Sequence, residues 1–124
     1  MLDVNNITIK HLSKLIASRG ISCLELIDAT IERIEKLNPK LNAFITILDQ
    51  SAKREAKHAD TLIKQGKYLG PVHGIPISLK DLIYIKGVRS TSGSKILADF
   101  VPDYDSTVTI KLRKAGAIIV GTNN

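Results

Sequence analysis

A chain of 124 residues with 44% hydrophobic and 24% charged side chains has the composition of one globular domain able to bury its own core. Its longest apolar run, residues 115–121, is far below the roughly 18 residues of a membrane span, the start Met-Leu-Asp-Val-Asn-Asn lacks the pattern of a signal peptide, and the lone Cys23 excludes an internal disulfide, so a soluble cytoplasmic protein is expected. The formal charge of +6 does not mark a nucleic-acid site, because 11 basic against 8 acidic residues lie before Gly70 and 7 against 4 after it, with few aromatic rings to stack bases.

In chain order, the pattern first predicts a helix over Thr8–Arg19, capped by Thr8, striped by Leu12, Leu15 and Ile16, and ended by a left-handed turn at Gly20. A second helix starts at Ser22, where Glu25 three residues on completes a capping box, and Asn38-Pro39 is expected to stop it. Cys23, in its first turn, reads as a small buried side chain, because no histidine or second cysteine lies near it in sequence. Residues 41–48 are rich in β-branched and aromatic types and read as a strand. A third helix, Gln50–Gln65, is capped by Asp49 and carries a thin stripe of Ala52, Ala56, Ala59 and Ile63 before Gly66 ends it. His58 on that helix reads as solvent-exposed, and no group of residues recurs at metal-ligand spacing.

The segment Gly70–Asp81 is punctuated by two glycines and two prolines and then runs Ile-Ser-Leu-Lys-Asp. Pro76 has no ladder donor, so the strand is expected over Ile77–Lys80. Alternation sets Ser78, Lys80 and Leu82 on one face and Ile77, Leu79 and Asp81 on the other. The apolar setting points Lys80 toward the interior, which lysine rarely occupies because its ammonium loses solvation there. His73, just before the strand, reads as a backbone-bonded structural histidine. Farther on, Ser90-Thr91-Ser92-Gly93-Ser94 is a polar turn, Lys95–Phe100 a short helical turn, and Asp103–Ser106 a cap cluster. The helix it starts carries Val108, Ile110, Leu112 and Ala115 up to Gly116, and Ala117–Val120 has the continuous apolar pattern of a strand buried on both faces. Strand, crossover helix and strand therefore alternate, which is an α/β signature.

Gly74-Ile75-Pro76-Ile77-Ser78-Leu79-Lys80-Asp81, Gly87-Val88, Ser90–Ser94, Asp105-Ser106-Thr107-Val108, Ala115-Gly116-Ala117 and Val120-Gly121 together resemble the N-terminal part of the amidase signature family. Residues Ser22–Phe44 resemble that family's N-terminal region as well, and the likeness is strongest to its tRNA-dependent amidotransferase A subunits. The resemblance implies amide chemistry by a nucleophilic serine, a bridging serine in a cis peptide, and a lysine that corresponds to Lys80. Lys80 would take the proton of the bridging serine and so activate the nucleophile. It also implies a small carboxamide substrate such as glutamine, possible further amidotransferase subunits as partners, and no cofactor or metal.

Both family serines lie in a glycine-serine-rich segment downstream of the lysine, whereas the 44 residues after Lys80 here have no such composition. The ending Gly121-Thr122-Asn123-Asn124 also stands where the family has Gly-Lys-Thr-Asn. The expectation is one domain, residues 1–124, mainly helical over 1–69, with the α/β core and its lysine motif beginning at 70. Its fold class is α/β, a truncated amidase-signature fold in which N-terminal helices precede a partial, mainly parallel or mixed sheet with crossover helices. Without the serines it is expected to be inactive alone. Ser78 lies only about 6.6 to 7 Å from Lys80 along the strand, but a self-contained Ser–Lys site needs an oxyanion hole and none is identifiable. The alternatives are a non-catalytic binding or assembly module and, less favoured, a small nucleic-acid binder. Uncovered strand edges in a partial sheet favour association, so a homo-oligomer or docking to another chain is expected.

Overall fold

The computed structural model describes residues 2–124 and orders them as helices α1 (Ile9–Ala17) and α2 (Cys23–Leu41), strand β1 (Phe44–Ile47), helix α3 (Asp49–Lys64), strand β2 (Pro76–Lys80), helix α4 (Thr107–Lys114) and strand β3 (Ile118–Asn123). The three strands form one mixed sheet in the order β1-β3-β2, with β3 antiparallel to β1 and parallel to β2. This is the expected α/β class.

Local chemistry explains most element ends. Thr8 accepts from the His11 amide at 3.1 Å and starts α1. Ser22 and Glu25 close the predicted capping box on α2, at 3.0 and 2.8 Å. A second carboxylate, Asp60 on α3, accepts from the Cys23 and Leu24 amides at 2.7 and 3.1 Å. The two free donors at the head of α2 thus join it to α3, which favours negative charge at a helix N-terminus.

Four local expectations are corrected. Arg19, not Gly20, takes the left-handed turn after α1 (φ 62°), and its guanidinium holds the Ile63 and Lys64 carbonyls at 3.1 and 3.4 Å, anchoring the unfavourable backbone. Helix α2 runs through Pro39 to Leu41, because a proline in the last turn removes only one ladder bond, and Asn42 in the left-handed region ends it. The β1 strand is therefore shorter than the sequence suggests. Leu48, without a side-chain cap bond, precedes α3, while Asp49 lies in its first turn and pairs with Lys53 at 2.8 Å. Residues 94–100 form consecutive tight turns and no helix.

The core lies on both faces of the sheet. On one, α1, α2 and α3 pack Leu12, Ile16, Leu26, Ile27 and the three alanines of α3 against Ile75, Ile118 and Val120. On the other, Leu79, Ile85 and Ile119 gather with Leu48, Val88 and Leu112. Burial of β3 from both sides matches its continuous apolar reading. In α4 the buried residue is Thr109, not Val108 or Ile110: its hydroxyl donates to the Tyr84 carbonyl at 2.8 Å, and the two apolar neighbours are turned outward.

Gly74 joins the layers. It has φ +73°, and a β-carbon there would lie 2.3 Å from Cys23 Sγ. Only glycine lets the segment before β2 pass this close to the head of α2. His73 fastens the same segment: its Nδ1 accepts from the Leu69 amide at 3.2 Å, which leaves Nε2 as the donor to the Ala59 carbonyl at 3.0 Å. It is fully buried and structural, as the sequence suggests.

Candidate active site

The carboxyl ends of the parallel pair β2 and β3 meet at Lys80, Asp81, Asn123 and Asn124, the position where α/β sheets hold their ligands. Pairing keeps the two ends together. Lys80 is opposite Asn123, and the Asp81 amide donates to the Asn123 carbonyl at 2.8 Å. One extra residue on β3, Val120, shifts the register between Ile77 and Ser78. That bulge sets which side chains reach the end of the sheet.

The alternation of β2 follows the sequence reading, but the interior lies on the opposite face. Leu79 and Asp81 are buried, and Ser78, Lys80 and Leu82 are exposed. The physical reason is local to the end of the strand: Leu79 is buried with Ile119 and Ile85, with Ile77 packed against them, while on the other side Ser78, Lys80 and Leu82 lie past the helical layer and face outward. Among the described residues no hydrogen bond or ion pair holds the Lys80 amine. It borders a hollow of about 60 Å3 shared with Ile45, Ser92, Gly93 and Asn124.

Asp81 is the residue that sequence reasoning undervalued. It is only 3% exposed. Its Oδ2 accepts from the Thr91 amide at 3.1 Å and from the Thr91 hydroxyl. Its main-chain carbonyl accepts from the Ser90 hydroxyl at 3.1 Å and the Ser92 amide at 2.9 Å. The hydroxyl-rich turn is therefore folded back over the end of β2, and it brings Ser92 (φ 50°) and Gly93 (φ 68°) to the hollow beside Lys80. Two signals were present in the sequence: a carboxylate on the apolar face of a strand, which demands donors, and a cluster of hydroxyls nine residues later.

Of the other residues weighed from sequence, Ser78 shares the open face with Lys80, and Ser94 is partly buried with its amide on the Thr91 carbonyl at 2.8 Å. His58 is exposed on α3 and borders a groove of about 390 Å3 with Arg54, Glu55 and Arg113, away from Lys80. Burial pushes the Glu55 carboxyl up, and the Arg113 guanidinium at 3.3 Å opposes that only in part. Cys23 is fully buried, with its thiol pushed up to about 12, first by burial and then by the Asp60 carboxylate. A thiol in that state is inert, in line with its structural reading. Among the described residues no helix is long and apolar enough to cross a membrane.

Known proteins share this sequence and geometry. The pattern that defines the Amidase family matches residues 25–124. The A subunit of the glutamyl-tRNA(Gln) amidotransferase of Dehalococcoides mccartyi is 45% identical over all 124 residues, which make up 25% of that protein. Its counterpart in Geobacter sulfurreducens is 42% identical over 123 residues, again 25% of its length. Among solved structures, the native peptide amidase of Stenotrophomonas maltophilia superposes with a TM-score of 0.90 and 32% identity over 97% of this chain and 25% of that one. A fatty acid amide hydrolase gives 0.90 at 27% identity, over 96% of this chain and 21% of its own. The chain thus spans about a quarter of the length of the relatives it matches.

Proposed function

The chain belongs to the amidase family, and from that premise we propose that it is the N-terminal portion of an amide hydrolase or amidotransferase A subunit whose proton-accepting base is Lys80. The observation that carries the reading is the position of Lys80: at the carboxyl end of β2, facing open space, with no carboxylate holding its amine among the described residues. In its unprotonated form the amine takes a proton from the bridging serine, and that serine takes the proton of the nucleophile as its oxygen bonds the amide carbon. The amide nitrogen then leaves with a returned proton, and water or an acceptor amine releases the acyl group. Both serines and the oxyanion-binding groups belong to the part of the relatives that residues 1–124 do not match.

The substrate class is a small carboxamide such as glutamine, and the partners are further amidotransferase subunits, since the D. mccartyi and G. sulfurreducens relatives are named as subunits of such an enzyme. The 124 residues alone hold the base without its nucleophile, so they do not turn over by themselves. The test joins residues 1–124 to the unmatched three quarters of the D. mccartyi protein and measures ammonia release from glutamine. Turnover is expected in the joined protein and none in the 124-residue chain. Hydrolysis by the purified 124-residue chain that disappears in Lys80→Ala would overturn the second expectation.

A further inference from the structure

We infer that the face made by the free edge of β2 and the segment 82–110 is a docking surface for the remaining three quarters of an amidase polypeptide, and that this partner binds when supplied as a separate chain. The identity of the partner rests on the family reading, whereas the surface itself rests on outward apolar side chains, the frame that holds them and an unpaired strand edge.

The segment exposes large apolar side chains: Leu82, Ile96, Phe100, Val101, Tyr104 and Val108 are all between 37 and 94% exposed, with Ile96 at the upper limit. They are held outward by an ordered frame. The Gly87 amide donates to the Pro102 carbonyl at 3.0 Å, the Ser90 amide to Phe100 at 2.9 Å and the Ser106 amide to Tyr84 at 2.9 Å, and the Tyr84 ring lies 5.5 Å from that of Phe100 and 5.4 Å from that of Tyr104. An apolar surface kept in place by such a frame, and not folded in, marks an interaction site.

The two sheet edges differ in the same sense. On β1 the outward groups of Phe44 are closed by one side chain: Asn38 Oδ1 accepts from its amide at 2.8 Å and Asn38 Nδ2 donates to its carbonyl at 3.2 Å. On β2 the side toward β3 is paired and the Lys80 carbonyl accepts from the Ile83 amide at 2.9 Å, while among the described residues no side chain closes the remaining outer groups in the way Asn38 does on β1. An open edge beside an apolar face accepts another strand. The occupant follows from length: the relatives carry about three times as much chain again as the quarter matched here.

The experiment co-expresses the affinity-tagged 124-residue chain with the unmatched three quarters of the D. mccartyi protein and quantifies the recovered partner. One partner per chain is expected. Val101→Glu together with Val108→Glu should lower recovery at least tenfold while leaving the circular dichroism and melting temperature of the 124-residue chain unchanged, because both side chains already face outward. Equal recovery with and without the two glutamates, failure to recover the partner at all, or a homodimer sealed by these same residues would each overturn the inference. The readout is binding, so it separates from the catalytic reading. A complex that forms normally but keeps its turnover in Lys80→Ala would leave the docking surface standing and remove the base.

Discussion

Gly74→Ala tests how the lysine motif is attached to the helical layer. The added methyl would occupy φ +73°, which costs about 1–2 kcal/mol for a residue with a β-carbon. It would also lie 2.3 Å from Cys23 Sγ and 3.2 Å from Cys23 Cβ, with Ile16 Cδ1 behind at 3.5 Å. Overpacking of a closed core adds about 1–3 kcal/mol. The total of roughly 2–5 kcal/mol is a large share of the ~5–15 kcal/mol that holds a domain together. At roughly 4 °C per kcal/mol for a chain of this size, the melting temperature should fall by about 8–20 °C. Cys23→Ala in the same background removes the struck sulfur and should recover the packing part, so a double-mutant cycle should give a coupling of about 1–3 kcal/mol. Thermal melts of the four proteins, checked by urea titration, decide the matter. A loss below about 0.5 kcal/mol, or additivity within that margin, would refute the contact and the reasoning built on it.

Thr91→Val removes a hydroxyl donor from the buried Asp81 carboxylate and should lower stability by about 1.5–3 kcal/mol, with faster hydrogen exchange at the Ser92 amide; unchanged exchange would show that the turn is held by other contacts. Cys23, raised to about 12, should resist iodoacetamide in the folded protein at pH 8, where about one thiol in ten thousand is ionised, and react readily once unfolded. Rapid labelling of the folded chain would contradict its burial. Glu55 is raised above its ordinary value of 4.5 by burial, and a carboxyl with a raised folded-state pKa stabilises the fold while protonated and loses that contribution as pH rises through the window. Glu55→Gln should therefore gain in melting temperature relative to the parent as pH rises above about 4.5, and a difference independent of pH would refute the assignment.

Elements whose ends are set by one side chain were legible in the sequence. Thr8, the Ser22–Glu25 pair and Gly66 act locally, and the structure uses each as expected. The α/β class and the alternation of β2 followed from periodicity. Expectations failed where a distant partner decided the outcome. Arg19 tolerates its turn because two carbonyls of α3 receive its guanidinium, and Pro39 stays inside α2 because Asn38 and Asn42 organise the passage from that helix into β1. The inner face of β2 is selected by Ile119 and Ile85, which no local pattern around Lys80 reveals. Asp81 is a similar case. Its donors are nine or more residues away and become its partners only after the turn has folded back.

The most direct test of Lys80 as the base is the turnover number of residues 1–124 joined to the unmatched three quarters of the D. mccartyi protein, compared with the same protein carrying Lys80→Ala or Ser78→Ala. Ser78 shares the exposed face of β2 with Lys80 and controls for disturbance of the strand. If Lys80 is the base, Lys80→Ala lowers turnover at least about a thousandfold, because the members of a catalytic unit fail together, and Ser78→Ala stays close to the parent. Turnover that survives Lys80→Ala, or that is lost with Ser78, would contradict the assignment.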